Sequence, residues 1–369
     1  VLRQRLLWAN LAQSGHGPMD RRLAILAWQG EPHVLKKAMT VDEATWVTRT
    51  QAVDRHAMPD KLRHNLPDWL SNSLRAQLSD EEFWALVDTF SAGAPLDLRV
   101  NAVKAKREAV IEALAAANIA AEPTPYSPIG IRIQGKPALQ KLPLYPGGDV
   151  EVQDEGSQLL ALLTGAKRGE MVVDFCAGAG GKTLALGAMM RNTGRLYAFD
   201  VSGHRLENLK PRLARSGLSN VYATQIAHEN DERIKRLRGK IDRVLVDAPC
   251  SGLGTLRRNP DLKWRQSPKA VEELQVKQTA ILNSAARLLK PGGRLVYATC
   301  SLMPAENEVI ANAFSESHPD FVLLDAKEQL EKAGVAQAET LVTEAGHLRL
   351  WPHRHTTDGF YAAAWERKA

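Results

Sequence analysis

Five short apolar runs between residues 171 and 298 constrain this chain more than any other feature. They are Met171-Val-Val-Asp-Phe175, Gly194-Arg-Leu-Tyr-Ala-Phe-Asp200, Asn220-Val-Tyr-Ala-Thr-Gln-Ile226, Val244-Leu-Val-Asp247 and Arg294-Leu-Val-Tyr-Ala298. Each has the length of a strand, and stretches long enough for helices separate them, so the spacing predicts a parallel sheet covered on both faces. Open sheets of this kind collect ligands and chemistry at the carboxyl ends of their strands. The residues that follow each run are therefore the first candidates for function: Cys176 to Thr183, Asp200, Ala227 to Asp231, Asp247 to Gly252, and Thr299 to Ser301.

A chain of 369 residues predicts two or three compact units. Residues 1 to about 64 read as helical and basic, with a capping-box pattern at Thr40-Val-Asp-Glu43. From about 65 to 150 the pattern is strand (Leu96 to Val100), Ala-rich helix (Lys104 to Ala117) and strand (Ile129 to Ile133), a small α+β module that is either a platform for RNA or a packing domain only. Pro146-Gly-Gly148 marks a turn into the sheet-forming region, 151 to 369. No apolar run reaches the ~20 residues that span a bilayer. The three cysteines, Cys176, Cys250 and Cys300, fit neither a disulfide framework nor a zinc site, and read as reduced, cytosolic thiols with no metal. Net charge is +6, with basic clusters at Lys235 to Lys240, Arg257-Arg258 and Lys263-Trp-Arg265. That footprint suits a nucleic-acid partner but does not by itself establish one.

The loop after the first run, Asp174-Phe-Cys-Ala-Gly178-Ala-Gly180-Gly181-Lys182-Thr183, excludes two cofactor classes by spacing. A P-loop needs glycine where Cys176 stands, and a dinucleotide fingerprint starting at Gly178 needs glycine or alanine where Thr183 stands. An adenosyl ligand without a pyrophosphate remains. Asp200, ending the second run, is placed to accept hydrogen bonds from two ribose hydroxyls, so S-adenosylmethionine is the expected cofactor.

Cys250 and Cys300 end adjacent runs and are expected to face one cleft, with Asp247 beside them. A thiolate paired with a methyl donor matches the need of carbon 5 of a pyrimidine, which is too weakly nucleophilic to take a methyl group directly. Thiol addition at carbon 6 activates carbon 5, and an acid at ring nitrogen 3 stabilises the adduct. The base must first leave its stack to reach such a pocket. Spacing alone does not choose the nucleophile between the two thiols. Cys176 reads as a packing residue against the cofactor loop.

These residues together resemble the RNA 5-methylcytosine methyltransferases of the bacterial RsmB (Sun/Fmu) type, in the Nop2/NSUN superfamily. The resemblance rests on Gln153-Asp-Glu-Gly-Ser-Gln158, Asp174 to Thr183, Asp200, Asp247-Ala-Pro-Cys-Ser-Gly252, Arg257-Arg-Asn-Pro-Asp-Leu-Lys-Trp264 and Tyr297-Ala-Thr-Cys-Ser301. It is dense over about 150 to 320 and weaker over 65 to 150, where Leu98-Arg-Val-Asn101 contributes. It implies a Rossmann-like α/β class I S-adenosylmethionine-dependent domain with a mostly parallel seven-stranded sheet, preceded by a small α+β RNA-binding module and an N-terminal helical segment. It further implies that Cys300 attacks carbon 6, that Cys250 assists breakdown of the covalent intermediate, and that Asp247 hydrogen-bonds the base near the methionine part of the cofactor. Cys176, Ala177, Gly178, Ala179, Gly180, Gly181 and Lys182 would cradle the cofactor, with Asp200 on its ribose. The acid the family usually carries after the third strand is replaced here by Ala227-His228-Glu229, so His228 or Glu229 is expected near the adenine. The implied partner is RNA, small-subunit ribosomal RNA first, met by a monomer in the cytoplasm. Transfer RNA as substrate, or a non-catalytic assembly factor that keeps the fold, are the alternatives.

Overall fold

The computed structural model describes residues 2–369. The chain divides into two compact units. One runs to Gly93 and takes in Leu256–Ser267; the other holds Ala94–Thr255 and Pro268–Ala369. This division differs from the three sequence blocks, because the small α+β region shares a unit with the large sheet.

The first unit is helical. Its helix Val41–Gln51 starts on the expected capping box: the Glu43 amide donates to Thr40 Oγ1 (3.2 Å) and the Thr40 amide to Glu43 (2.8 Å). Leu66, Leu70, Leu74, Phe83 and Leu86 are fully buried and form much of its core. The inserted segment Leu256–Ser267 joins this core through Lys263, whose Nζ donates to the Arg3 carbonyl (3.2 Å), and Trp264, which carries the Arg5 guanidinium at 5.3 Å. Thus the Arg257–Trp264 motif is built into the helical unit.

The second unit begins with four short strands, β1 (Leu96–Val100), β2 (Ala121–Pro123), β3 (Gly130–Ile133) and β4 (Val150–Val152), in the antiparallel order β2-β3-β1-β4. The helix Arg107–Ala116 buries Val110 and Leu114 against Leu98, Val100, Ile131 and Val150. Strands β2 and β4 are too short to show an alternation in sequence and were not expected.

Eight more strands form the large sheet: β5 (Met171–Asp174), β6 (Arg195–Asp200), β7 (Val221–Gln225), β8 (Ile241–Asp247), β9 (Leu289–Thr299), β10 (Phe321–Leu324), β11 (Leu348–Leu350) and β12 (Phe360–Arg367). Seven of them run in the order β10-β12-β9-β8-β5-β6-β7, and β11 pairs off that path with β12. Strands β5 to β9 are parallel; β12 enters antiparallel between β9 and β10. Val172, Val173, Leu196, Val244, Leu245, Val246, Leu295 and Val296 are fully buried, as strands covered on both faces require. The expected turn at Lys290 to Gly293 lies inside β9: pairing passes from Ile241↔Leu289 to Arg243↔Arg294 across an irregularity, with Gly292 at φ +73°. The helix Glu155–Leu163 packs on both β1 and β12 and ties the two sheets together.

Strand order reverses between β5, which leads to β6 and β7, and β8, which leads to β9. That switch point opens a crevice at the carboxyl ends, where a ligand can enter without crossing a covering loop. Among the described residues no helix is long and apolar enough to cross a membrane, and no group of His, Cys, Asp or Glu could hold a metal ion.

Candidate active site

A cavity of about 540 Å³ occupies this crevice. Of the residues singled out in the sequence, Cys176, Ala177, Gly178, Ala179, Gly181, Lys182, Asp200, Glu229, Asp247, Cys250 and Cys300 line it. Gly180 does not; it is the N-cap of the helix Gly181–Met189, at φ +83°, and a Cβ there would lie 2.1 Å from Leu209. Only glycine lets the loop turn into that helix against Leu209. His228 lies apart, in a surface pocket with Asp231 and Arg233, so of the two residues considered for the adenine only Glu229 reaches the cavity.

Asp200 anchors the loop. Its two carboxylate oxygens accept from the amides of Gly178 (2.8 Å) and Ser202 (2.7 Å), and the carboxylate still faces the cavity. A carboxylate has four lone-pair sites, so acceptor capacity remains for a diol. A Cβ built on Gly178 meets no atom within 4 Å, and Val201 is 60% exposed on the cavity wall with Ile226 and Ile281. Free acceptor capacity, an open glycine and an apolar slot fit an adenosyl group. Sequence reasoning missed Gln153, Ser157, Val201, Arg205, Arg212, Ile226 and Ile281, which also line the cavity. Gln153 and Ser157 stood inside a quoted motif, yet no spacing rule placed them on this wall.

At the other end of the cavity the thiols of Cys250 and Cys300 lie 3.3 Å apart. The register Asp247↔Ala298 carries β8 and β9 to adjacent ends, and the Ala248 amide extends the ladder to the Ala298 carbonyl (2.9 Å). The Cys250 thiol is pushed well above the usual thiol range by its hydrogen bond to Cys300, by burial, and by the negative charges of Cys300 and Glu306. Lys182 donates to Asp247 at 2.8 Å. Burial opposes its charge, but Asp247, with a smaller contribution from Cys300, raises the lysine above its ordinary value. The site therefore holds a cation between an acid and a sulfur.

Both thiol-bearing loops rest on one buried carboxylate. Glu306 accepts from the Ser251 amide (2.8 Å), the Ser251 hydroxyl (2.6 Å), Gln278 Nε2 (3.0 Å) and the Ser301 hydroxyl. The Gln278 side chain also donates to the Pro249 carbonyl at 3.0 Å. Ser251 follows Cys250 and Ser301 follows Cys300, so Glu306 fixes the two sulfurs relative to each other.

Asp174 lies beneath the loop, fully buried, accepting from Thr183 Oγ1 (2.7 Å) while its Oδ1 has no hydrogen-bond partner among the described residues. Burial pushes its carboxyl up to about 7, and the nearby charges of Asp247 and Asp200 add to this against the Thr183 bond. A raised pKa means the folded state binds the extra proton, so this residue's stabilising contribution is full below about pH 4 and is lost as pH rises through about 7. We predict that Asp174→Asn, which keeps an acceptor for Thr183, resists urea better than the wild type at about pH 8, with the gap closing by about pH 4. A gap that does not depend on pH would show that Asp174 is ionised in both states.

The strand order, with a glycine loop after β5 and an acid closing each of β6 and β8, defines a Rossmann-like methyltransferase fold. Residues 161–366 match the family described as 16S rRNA methyltransferase RsmB/F, and residues 66–140 match the ferredoxin-like domain described for RsmF/B-like proteins. The chain belongs to the RsmB/F family. Among curated relatives, the probable ribosomal RNA small subunit methyltransferase B of Synechocystis sp. is 36% identical over 302 residues, 82% of this chain and 66% of the relative. The protein of the same description from Bacillus subtilis is 35% identical over 272 residues, 73% of this chain and 59% of the relative. The chain thus spans about two thirds or less of the length of these relatives. A solved methyltransferase homolog from Pyrococcus horikoshii superposes with a TM-score of 0.71 at 27% identity, covering 86% of this chain and all of the other. NSun6 from the same organism, solved with SFG, shares the fold at a TM-score of 0.70 and 20% identity, covering 82% of this chain and 98% of its own.

Proposed function

We propose that this chain transfers a methyl group from S-adenosylmethionine to carbon 5 of a cytosine in small-subunit ribosomal RNA. The observation that carries the reading is the pair of thiols 3.3 Å apart in the same cavity as Asp200 and the glycine loop. Asp200 would hold the ribose, the loop Cys176 to Lys182 the body of the cofactor, and Val201 with Ile226 the adenine. When bound, the cofactor supplies the electrophilic methyl group that carbon 5 takes.

The protein's own residues divide the remaining work. The Cys250 thiol, pushed well above the usual range, keeps its proton and is suited to donate its S–H to the Cys300 sulfur, while the Lys182 ammonium favours the thiolate that forms when Cys300 gives its proton to solvent. The Cys300 sulfur adds to carbon 6, and the electron pair of the 5,6 double bond moves onto carbon 5. Asp247, oriented by Lys182, hydrogen-bonds the ring edge. A solvent base takes the carbon 5 proton, the carbon–hydrogen electron pair restores the 5,6 double bond, and the carbon–sulfur pair leaves on Cys300 as the thiolate. Cys250 is the residue next to that sulfur and is assigned to the release. The small sheet β1–β4 is assigned to carry the RNA, in keeping with the ferredoxin-like match and the chain's net charge of +6.

Incubating the protein with methyl-labelled cofactor and small-subunit ribosomal RNA is expected to label one cytosine, which then resists bisulfite conversion. Label on a ribose or an exocyclic nitrogen would refute carbon 5 chemistry. Label on transfer RNA alone would refute the ribosomal substrate.

A further inference from the structure

Two neighbouring side chains of the small sheet are tied to the cofactor loop, one directly and one through an arginine. Arg99 on β1 and Glu151 on β4 face each other in register. Both are buried, at 2% and 3% exposure, and neither lines the cavity. Arg99 Nη1 donates to the Gly181 carbonyl (2.6 Å) and to Gln153 Oε1. One Glu151 oxygen accepts from Arg212 Nε (3.1 Å) and Nη2 (3.0 Å), and Arg212 Nη1 donates to the Ala179 carbonyl (2.7 Å). The other accepts from Arg215 Nε (2.9 Å) and Nη2 (2.6 Å).

We infer that Arg99 and Glu151 are positioning residues for the cofactor, setting the glycine loop by holding the Gly181 carbonyl directly and the Ala179 carbonyl through Arg212. The loop needs such an outside hold. Gly178 and Gly180 are both at positive φ, so the turn between them has the conformational freedom of glycine and little side chain of its own to fix it. A packing role alone would not bury a guanidinium, and here its Nη1 bonds two acceptors from a buried position. The same geometry makes the small sheet and the cofactor cavity one energetic unit: whatever stiffens the loop stiffens β1 and β4. By linkage the effect runs equally in the other direction, from the small sheet to the cofactor.

The inference rests on the cavity taking S-adenosylmethionine, and the probe is S-adenosylhomocysteine measured by calorimetry without RNA. Wild-type protein that does not bind the probe would overturn that reading of the cavity, whatever the clamp does. If the wild type binds, Arg99→Lys and Glu151→Gln are each expected to weaken binding about tenfold, while a Val110→Ala variant of similar thermal midpoint binds as the wild type does. Because neither residue lines the cavity, such a loss has to pass through what they hold, the loop carbonyls together with Gln153 and Arg212, while amide exchange reads the loop's link to the small sheet without any substitution. Folded variants within about twofold of wild-type affinity would overturn the clamp. A measurement free of substitutions stands beside these: in the wild type the probe should slow amide hydrogen exchange in β1 and β4. Exchange there that ignores the bound probe would overturn the clamp equally.

Discussion

Replacing Cys300 with alanine is expected to reduce methyl transfer by at least ~10³-fold, since deleting a covalent nucleophile removes the step on which every later one depends. Cofactor affinity should change little. Cys300 is at the thiol end of the cavity, while the slot proposed for the adenosyl group is lined by Asp200, Val201 and Ile226. Stability should change little as well, because the Ser301 hydroxyl, the Ser251 hydroxyl and Glu306 hold the strand end and none of them involves the sulfur. The measurement is single-turnover methyl transfer beside calorimetry with S-adenosylhomocysteine. Full activity in Cys300→Ala would sink the mechanism, and loss of probe binding would show that the substitution damaged the pocket instead. Lys182→Met should share part of the defect, because it removes the cation that favours the thiolate and leaves Asp247 without its partner.

What the sequence showed of this site follows how far along the chain the determining contacts lie. Strands β5, β6, β8 and β9 were legible because an apolar run closed by an acid or a thiol is a local signal, and the parallel sheet places all such ends on one rim. The antiparallel entry of β12 beside β9 was not legible: the register Tyr361↔Thr299 joins residues with no shared pattern. The same holds inside the site. Asp200 and the glycine loop could be matched to a ribose from spacing, but the apolar slot of Val201, Ile226 and Ile281 draws on three elements whose convergence only the fold supplies. Glu306 was invisible for a further reason. In sequence it is an acid after a proline, the composition of an exposed first turn, whereas the structure buries it completely under Ser251, Ser301 and Gln278. Burial of a charge is tolerated where every lone pair is used, and that is a tertiary property. Arg99 likewise reads as the outward residue of an alternating strand until β4 covers it.

The bond to Cys300 and burial push the Cys250 thiol well above the usual range, and the second large effect follows from the release role proposed for it. Cys250→Ala keeps the attacking sulfur and the Lys182–Asp247 pair but removes the thiol 3.3 Å from Cys300. Addition at carbon 6 and methylation at carbon 5 should then proceed, while release is slowed by roughly 10²-fold or more, the scale at which a positioned proton-transfer group acts. The expected result is a protein–RNA adduct that survives denaturing electrophoresis, carries the methyl label, and is absent from Cys300→Ala and from the double variant. The order of the two roles is what the comparison tests. If Cys250 were the nucleophile, the adduct would instead accumulate in Cys300→Ala, and attack would have to come from the thiol that the bond to Cys300, burial and Glu306 push well above the usual range.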